Sequence, residues 1–326
     1  MKREMLKNYY DCSNNRVSNT LHSVKSFGPK ENDIMHDLCR YAGNYGFNRV
    51  SDYKLADIII TNTFYSKEVL EWSELNNIPK VKRMDGIYWR KEFDYKNKLH
   101  IDAGYQSDFV IFISNYSKNT LKELYDVEYD NDIVILNNSE DYNPDKKESN
   151  QVFKWISSCS NWEREGKRLS TIIAMSKIFD NDLFYLIGEC DIEELPENII
   201  KYGYIDDRTE MCNLISMCDA FISPFFRDAG SKVTCQAVKC KLPILYTSSG
   251  GLPELVNGNG VMINDFNRMC FLKNVPSIRI DNVINGVLEL KDNYNYIVEN
   301  YKERESYEKT ISDYFKIMKK SVNKFG

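Results

Sequence analysis

Long apolar runs are missing from this chain of 326 residues: the longest are four to six residues, strand-sized, against the roughly twenty needed to span a bilayer. The opening residues MKREMLKNYYDC lack the apolar core of a signal peptide, so a cytoplasmic location is expected. Histidine is scarce, and His22, His36 and His100 are too scattered to form a ligand set. Nine cysteines are an odd number for a disulfide framework, and no Cys-x-x-Cys spacing or Cys/His pairing marks a zinc site. Cys159, Cys190, Cys212, Cys218, Cys235, Cys240 and Cys270 fall mostly in apolar contexts and read as small buried hydrophobes, so no metal is expected. Neither sign of charge dominates. A net charge of −5 with interspersed acids and bases argues against a nucleic-acid binder, which would normally show a basic face or stripe. No repeat period or low-complexity tract is visible.

What is present is an ordinary globular composition, 42% hydrophobic and 28% charged, in a chain long enough for two domains of about 150 residues. The most informative stretch runs from Asp219 to Val256. Its AFISPFF segment reads as a buried strand stopped by Pro224, followed by the polar loop Arg227 to Lys232 and a helix carrying Val233, Ala237, Val238 and Cys240. LPILYT is the next strand, and its exit SSGGLPEL places Gly250 and Gly251 where backbone approaches a ligand closely, with Leu252, Pro253 and Glu254 opening another helix. Two loops at the carboxyl ends of parallel strands, each opening onto a helix N-terminus, suit an anion such as a diphosphate.

The order aspartate, apolar strand, Ser-Pro, acidic residue, glycine loop, helix ending Cys-x-Leu-Pro, apolar strand, Gly-Gly-x-Pro-Glu resembles the nucleotide-binding half of retaining GT-B glycosyltransferases of the group-1 or family-4 type. The resemblance covers roughly residues 110 to 320. It implies an α/β fold of two Rossmann-like doubly wound domains facing a central cleft, with a last helix crossing back to the first domain. It further implies that KWISSCSNWEREGKRLSTIIAM is a strand, loop and helix in which Asn161, Arg164 and above all Lys167 meet the donor diphosphate. NDLFYLIGEC is a second strand, and the loop at Tyr204 and Ile205 lies against the nucleotide base. The family usually carries two glutamates eight positions apart, the first near the transferred sugar and the second on the ribose. Here Asp228 and Gln236 stand there: the first keeps a carboxylate on a shorter stem, the second keeps hydrogen bonding without charge. Ala229, Gly230 and Ser231 complete the donor loop.

In the first half, KLADIIITNTF, IPKVKRMDGIYW and SDFVIFISNYS have the short apolar runs of buried strands, interleaved with helical patterns such as NDIMHDLCRYAGNYG and SKNTLKELYD. DIVILNNSEDYNP closes this unit, and the charged PDKKESNQ is the linker candidate. The expected division is 1–148, 149–300 and a helical segment 301–326, in which Tyr307, Ile311, Tyr314, Phe315 and Met318 share one face. The SFGPKEND loop with Gly28 and Pro29 takes the place of the family's glycine loop after the first strand. Asp85, leaving its strand with Arg83, Gly86 and Tyr88, is the candidate base, with a turn aspartate as the structural alternative.

The resemblance thus implies transfer of a sugar from a UDP- or GDP-linked donor to a hydroxyl of a glycan, protein or lipid, with retention and with no cofactor required. Departing diphosphate charge would be met by Lys167, Arg164 and the amides near Gly230 and Ser231, and positive charge on the sugar by Asp228. The proton would go to Asp85 or to the leaving phosphate. No metal is expected, since protein cations can neutralise the diphosphate, and no Asp-x-Asp motif of the metal-dependent kind is read in the chain. A GT-B epimerase, or a non-catalytic nucleotide or glycan binder suggested by Asp228 and Gln236, remains open.

Overall fold

The computed structural model describes residues 19–24, 34–50, 52–142 and 152–325. The loop with Gly28 and Pro29 and the PDKKESNQ linker candidate lie outside them. By its contacts the chain divides into one unit of Met1–Leu136 with Glu308–Gly326 and a second of Asn137–Tyr307.

The first unit is a six-stranded sheet, parallel throughout, of β1 (Asn19–Val24), β2 (Phe47–Arg49), β3 (Ile58–Thr61), β4 (Lys80–Met84), β5 (Phe109–Phe112) and β6 (Asp132–Val134), in the order β2-β1-β3-β4-β5-β6. Among the described residues four helices connect them: α1 (Ile34–Tyr41), α2 (Lys67–Leu75), α3 (Asp94–Tyr105) and α4 (Asn115–Tyr125). Every residue of β3, β4 and β5 is buried, as expected for parallel strands covered on both faces. Serines start two of the helices: Ser66 Oγ accepts from Val69 N at 3.4 Å and Ser114 Oγ from Ser117 N at 3.1 Å. The helical pattern at residues 32–46 is shorter than its sequence suggests; α1 stops at Tyr41, and a 3₁₀ turn over Ala42–Tyr45 ends on Gly46 at a φ of +77°.

The last helix of the chain packs on this sheet. Phe315 stacks on Tyr45 at 4.6 Å and lies 5.3 Å from Phe47, while Tyr314 Oη accepts from Arg83 Nε at 3.1 Å. Tyr307, Ile311, Tyr314, Phe315 and Met318 are all buried.

Lys82, on β4, is fully buried, and its Nζ donates to the Arg83 carbonyl at 2.7 Å. Desolvation, aided by Arg83, pulls this amine well below the usual lysine range. Burial, followed by the charge of Lys82, pushes the nearby His100 down to about 4. The folded state is then the poorer proton acceptor, so stability present above the ordinary histidine range is lost as pH falls from about 6.5 towards 4. Melting curves from pH 7 to 4 should show up to about 3 kcal/mol of this loss, and His100→Asn should flatten that segment of the profile. An unchanged slope in the variant would remove His100 as its source.

The second unit repeats the plan. β7 (Lys154–Asn161), β8 (Leu183–Glu189), β9 (Ile199–Tyr202), β10 (Ala220–Ser223), β11 (Ile244–Thr247) and β12 (Gly260–Ile263) form a parallel sheet in the order β12-β11-β10-β7-β8-β9. It is served by α5 (Leu169–Ile178), α6 (Arg208–Ser216), α7 (Lys232–Lys239), α8 (Leu252–Val256), α9 (Ile280–Asp292) and α10 (Tyr294–Glu299), and α11 (Tyr307–Phe325) is the helix that packs on the first sheet. One continuous core runs through the unit around Trp155, Phe184, Phe221, Ile244 and Val287. The Trp155 indole is satisfied by Asp182 at 2.9 Å, which Lys291 neutralises in turn. No helix among the described residues is long and apolar enough to cross a membrane.

Candidate functional site

The second sheet reverses its strand order between β7 and β10, so the loops leaving these two strands part and open a crevice at the carboxyl edge. The loop after β7 is anchored by Trp162, whose indole donates to Ile187 O at 3.0 Å and whose amide donates to Glu189 O at 2.9 Å. Asn161 Oδ1 accepts from Glu163 N at 2.7 Å, and a 3₁₀ turn over Glu165–Lys167 follows. Gly166 O accepts from Phe226 N at 2.8 Å, tying this turn to the loop after β10. Across that junction Lys167 Nζ meets Asp228 Oδ2 at 2.8 Å, and the ammonium lies 4.1 Å from the Phe225 ring. Both side chains are partly open, 21% and 18% exposed, so the pair faces solvent on one side. Arg164 is exposed at the head of the turn.

Asp228 is the hub of three loops. Its Oδ1 accepts from Gly230 N at 3.2 Å, and its carbonyl accepts from Gly251 N at 2.8 Å. Gly250 bridges to it with a φ of +93°, in the left-handed region that favours glycine, and a Cβ there would stand 2.5 Å from the Asp228 carbonyl oxygen. Ala229 and Gly230 lead into α7, where Ser231 Oγ accepts from Thr234 N at 3.3 Å; Asn137 Nδ2 donates to Gly230 O at 2.7 Å. Gln236 lies on α7, 5% exposed, with no hydrogen bond to its side-chain amide among the described residues.

Tyr204 and Ile205 sit between β9 and α6. The Tyr204 ring is exposed, whereas Ile205 is half-buried against the core. This loop is fixed by Gly188 N donating to Gly203 O at 3.2 Å. Gly188 itself has a φ of +118° and no room for a Cβ, which would fall 1.8 Å from Cys159 O. The carboxyl edge of one parallel sheet therefore gathers Asn161, Arg164, Lys167, Tyr204, Ile205, Asp228, Ala229, Gly230, Ser231 and Gln236. Asp85 belongs to the first unit, immediately after β4, where its half-exposed carboxylate is paired with Arg83.

Two arginines of the basic and polar loops are spent on structure. Arg168, at a φ of +52°, grips Asp265 in a bidentate pair of 2.7 and 2.9 Å and donates to Pro276 O at 2.6 Å. Arg227, at a φ of +50°, donates to the carbonyls of Cys270 and Arg268. Asp265 lies 97 positions from Arg168, and no local spacing in the sequence signals the pair. Asp-x-Asp occurs twice, and both copies sit at the start of a strand: Asp132 of Asp130-Asn131-Asp132 begins β6 at the amino edge of the first sheet and pairs with Lys118, and Asp182 of Asp180-Asn181-Asp182 precedes β8 and is held by Trp155 and Lys291.

Two parallel Rossmann-like sheets, the second with its strand reversal lined by a lysine-aspartate pair and glycine loops, define the GT-B architecture of α/β proteins. Residues 164–276 match the family profile described as glycosyl transferases group 1, a span that holds most of the loops just described. Solved glycosyltransferase structures share the fold. A glycosyltransferase of Rickettsia africae aligns at 15% identity and a TM-score of 0.57 over 93% of this chain and 85% of its own. HepE of Anabaena, in complex with UDP-glucose, aligns at 14% identity and a TM-score of 0.62 over 94% and 98%. Sucrose-phosphate synthase of Thermosynechococcus elongatus aligns at 14% and 0.60 over 81% and 73%. No curated protein sequence matches the chain.

Proposed function

We propose that this chain is a retaining, nucleotide-sugar-dependent glycosyltransferase acting in the cytoplasm, with a uridine diphosphate sugar as donor and a glycan, protein or lipid hydroxyl as acceptor. The observation that carries the reading is the partly open Lys167 and Asp228 pair at the strand reversal, beside the start of α7. A cation beside the first turn of a helix, where the helix dipole favours negative charge, is what a leaving diphosphate needs. The uridine donor is supported by the UDP-glucose held by the Anabaena relative in fold.

In this reading the diphosphate takes Lys167 from Asp228, with Arg164 and the Gly230 and Ser231 amides beside it. Asn161 shapes the turn through its bond to Glu163. Freed of its partner, Asp228 faces the sugar and stabilises positive charge as the anomeric C–O bond breaks. The base rests against Tyr204 and Ile205, and Gln236 takes the ribose hydroxyls with its uncommitted amide. The acceptor proton passes to Asp85 or to the leaving phosphate oxygen. Neutralisation of the diphosphate is assigned to protein cations rather than a metal.

Titration with UDP tests the donor half. Lys167→Ala should weaken binding by about 1.5 to 3 kcal/mol, the worth of a hydrogen bond to a charged group, or roughly tenfold to a hundredfold. Unaltered affinity removes the lysine from the site. For the ribose contact, Gln236→Glu should retain UDP binding while Gln236→Leu loses it, because the ribose hydroxyls are left unpaired. A leucine variant that binds normally makes α7 purely structural. The replacement of a carboxylate by Gln236 favours one second reading, a nucleotide binder without turnover. UDP binding with no hydrolysis or transfer across a panel of UDP-sugars would select it.

A further inference from the structure

The first sheet has its own strand reversal, between β1 and β3, and the residues leaving β3 and β4 at its carboxyl edge carry chemistry that the donor reading leaves unused. Phe64 and Tyr88 follow these two strands and are 44% and 42% exposed. Both rings neighbour the imidazole of His100, at 6.4 and 6.5 Å between centroids. His100 Nδ1 is buried without a hydrogen-bond partner. Asn62, at the end of β3, is 7% exposed, and its Oδ1 also lacks a partner. Lys82 spends one N–H on the Arg83 carbonyl and has no carboxylate partner among the described residues. Lys96 lies 5.1 Å from the Tyr88 ring and 4.8 Å from that of Phe93, closing one side of the cluster.

We infer that this edge is a carbohydrate subsite, in which the apolar face of a pyranose ring lies against Phe64 and Tyr88 while ring hydroxyls satisfy His100 and Asn62. Unsatisfied buried polar atoms are costly, and this edge has two of them beside exposed aromatic faces. The polar groups are of mixed type: Asn62 Oδ1 accepts, Lys82 donates, and the neutral His100 ring does one or the other by tautomer. A hydroxyl both donates and accepts, so a ring of vicinal hydroxyls matches this mixture. A bare anion has no use for the Asn62 oxygen. Aromatic rings supply the broad contact that the C–H face of a sugar fills. The site makes the acceptor a glycan, and it rests on the transferase reading only for the word acceptor.

Saturation-transfer NMR on the full chain, without nucleotide, tests it with neutral trisaccharides of gluco, galacto, manno and N-acetylglucosamine configuration. At least one should receive saturation, concentrated on the C–H protons of one ring face. Tyr88→Ala and Phe64→Ala should each weaken that ligand roughly three- to tenfold, as expected for loss of an aromatic contact. Leu75→Ala, an exposed change at the far end of α2, should leave it unchanged. UDP affinity measured in the same samples separates the two readings: glycan binding without UDP binding keeps this site and removes the donor site, and the reverse does the opposite. No saturation of any trisaccharide, or saturation indifferent to both aromatic variants, overturns the proposal. It is equally overturned if no glycan binds and the same variants instead abolish sedimentation with phosphatidylcholine vesicles containing one-third phosphatidylglycerol, which would assign the aromatic edge to a lipid surface.

Discussion

Alanine in place of Gly250 should cost about 3 kcal/mol or more of stability and abolish nucleotide binding. The added Cβ would stand 2.5 Å from Asp228 O, 2.8 Å from Asp228 N and 3.0 Å from Arg227 C, all backbone atoms that no rotamer change can move aside. To this is added the strain of an L side chain at a φ of +93°. Relief requires the Gly250 loop to withdraw from Asp228, which breaks the Gly251 amide bond to the Asp228 carbonyl and lets the carboxylate drift from Lys167. Thermal unfolding should show the transition of the second unit lowered by roughly 6–12 °C, the shift that such a loss produces in a domain of its size. Gly43→Ala is the control, since a Cβ there meets nothing within 4 Å. A Gly250→Ala protein with the parent melting curve would show that the Asp228 and Gly250 loops are not held together as described.

Asp85→Asn should lower turnover roughly a hundredfold while leaving UDP affinity unchanged. The substitution keeps the size of the side chain and removes its capacity to take a proton, and Asp85 lies in the unit that does not carry Lys167 and Asp228. The Arg83 pair is the competing explanation. Arg83 is buried and also donates to Tyr314, so its guanidinium has a structural claim on the Asp85 carboxylate. Steady-state rates and melting curves on the same preparation separate the two. A fall in turnover with the melting midpoint held identifies the base; a fall in midpoint assigns Asp85 to holding Arg83. Full activity sends the proton to the leaving phosphate oxygen.

How much of this was legible beforehand differs between strands and site. The strands β3, β5, β10 and β11 are four-residue runs buried at every position, and runs of that kind are visible in a sequence. β1 is different. Its Asn-Thr-Leu-His-Ser-Val is mixed in polarity, and its interior place follows from backbone pairing with β2 on one edge and β3 on the other, which side-chain patterning does not report. At the site, the glycine loop, the Lys167 turn and the Gly-Gly exit were readable because each is local. The fate of Arg168 was not, because its role is decided by Asp265, a distant residue that folding brings to it. The same limit applies to Arg83: a basic residue beside Asp85 reads as part of a cleft until Tyr314, 231 positions on, is seen to hold it.

The position of α11 sets the order in which the chain can complete itself. The second unit is one continuous stretch, Asn137–Tyr307, whereas the first waits for residues from 308 onward. Ile311, Tyr314, Phe315 and Met318 supply core to a sheet whose strands were synthesised some two hundred residues earlier. The residues of the second core are thus all made before those of the first are complete, the opposite of the usual vectorial order in which the amino-terminal domain folds first. Until α11 emerges, Tyr45 and Phe47 lack the Phe315 ring, Arg83 lacks the Tyr314 hydroxyl, and the early sheet has an open apolar face. Chaperone demand and premature-termination damage should accordingly concentrate on the amino-terminal half, even for lesions that remove only the final helix.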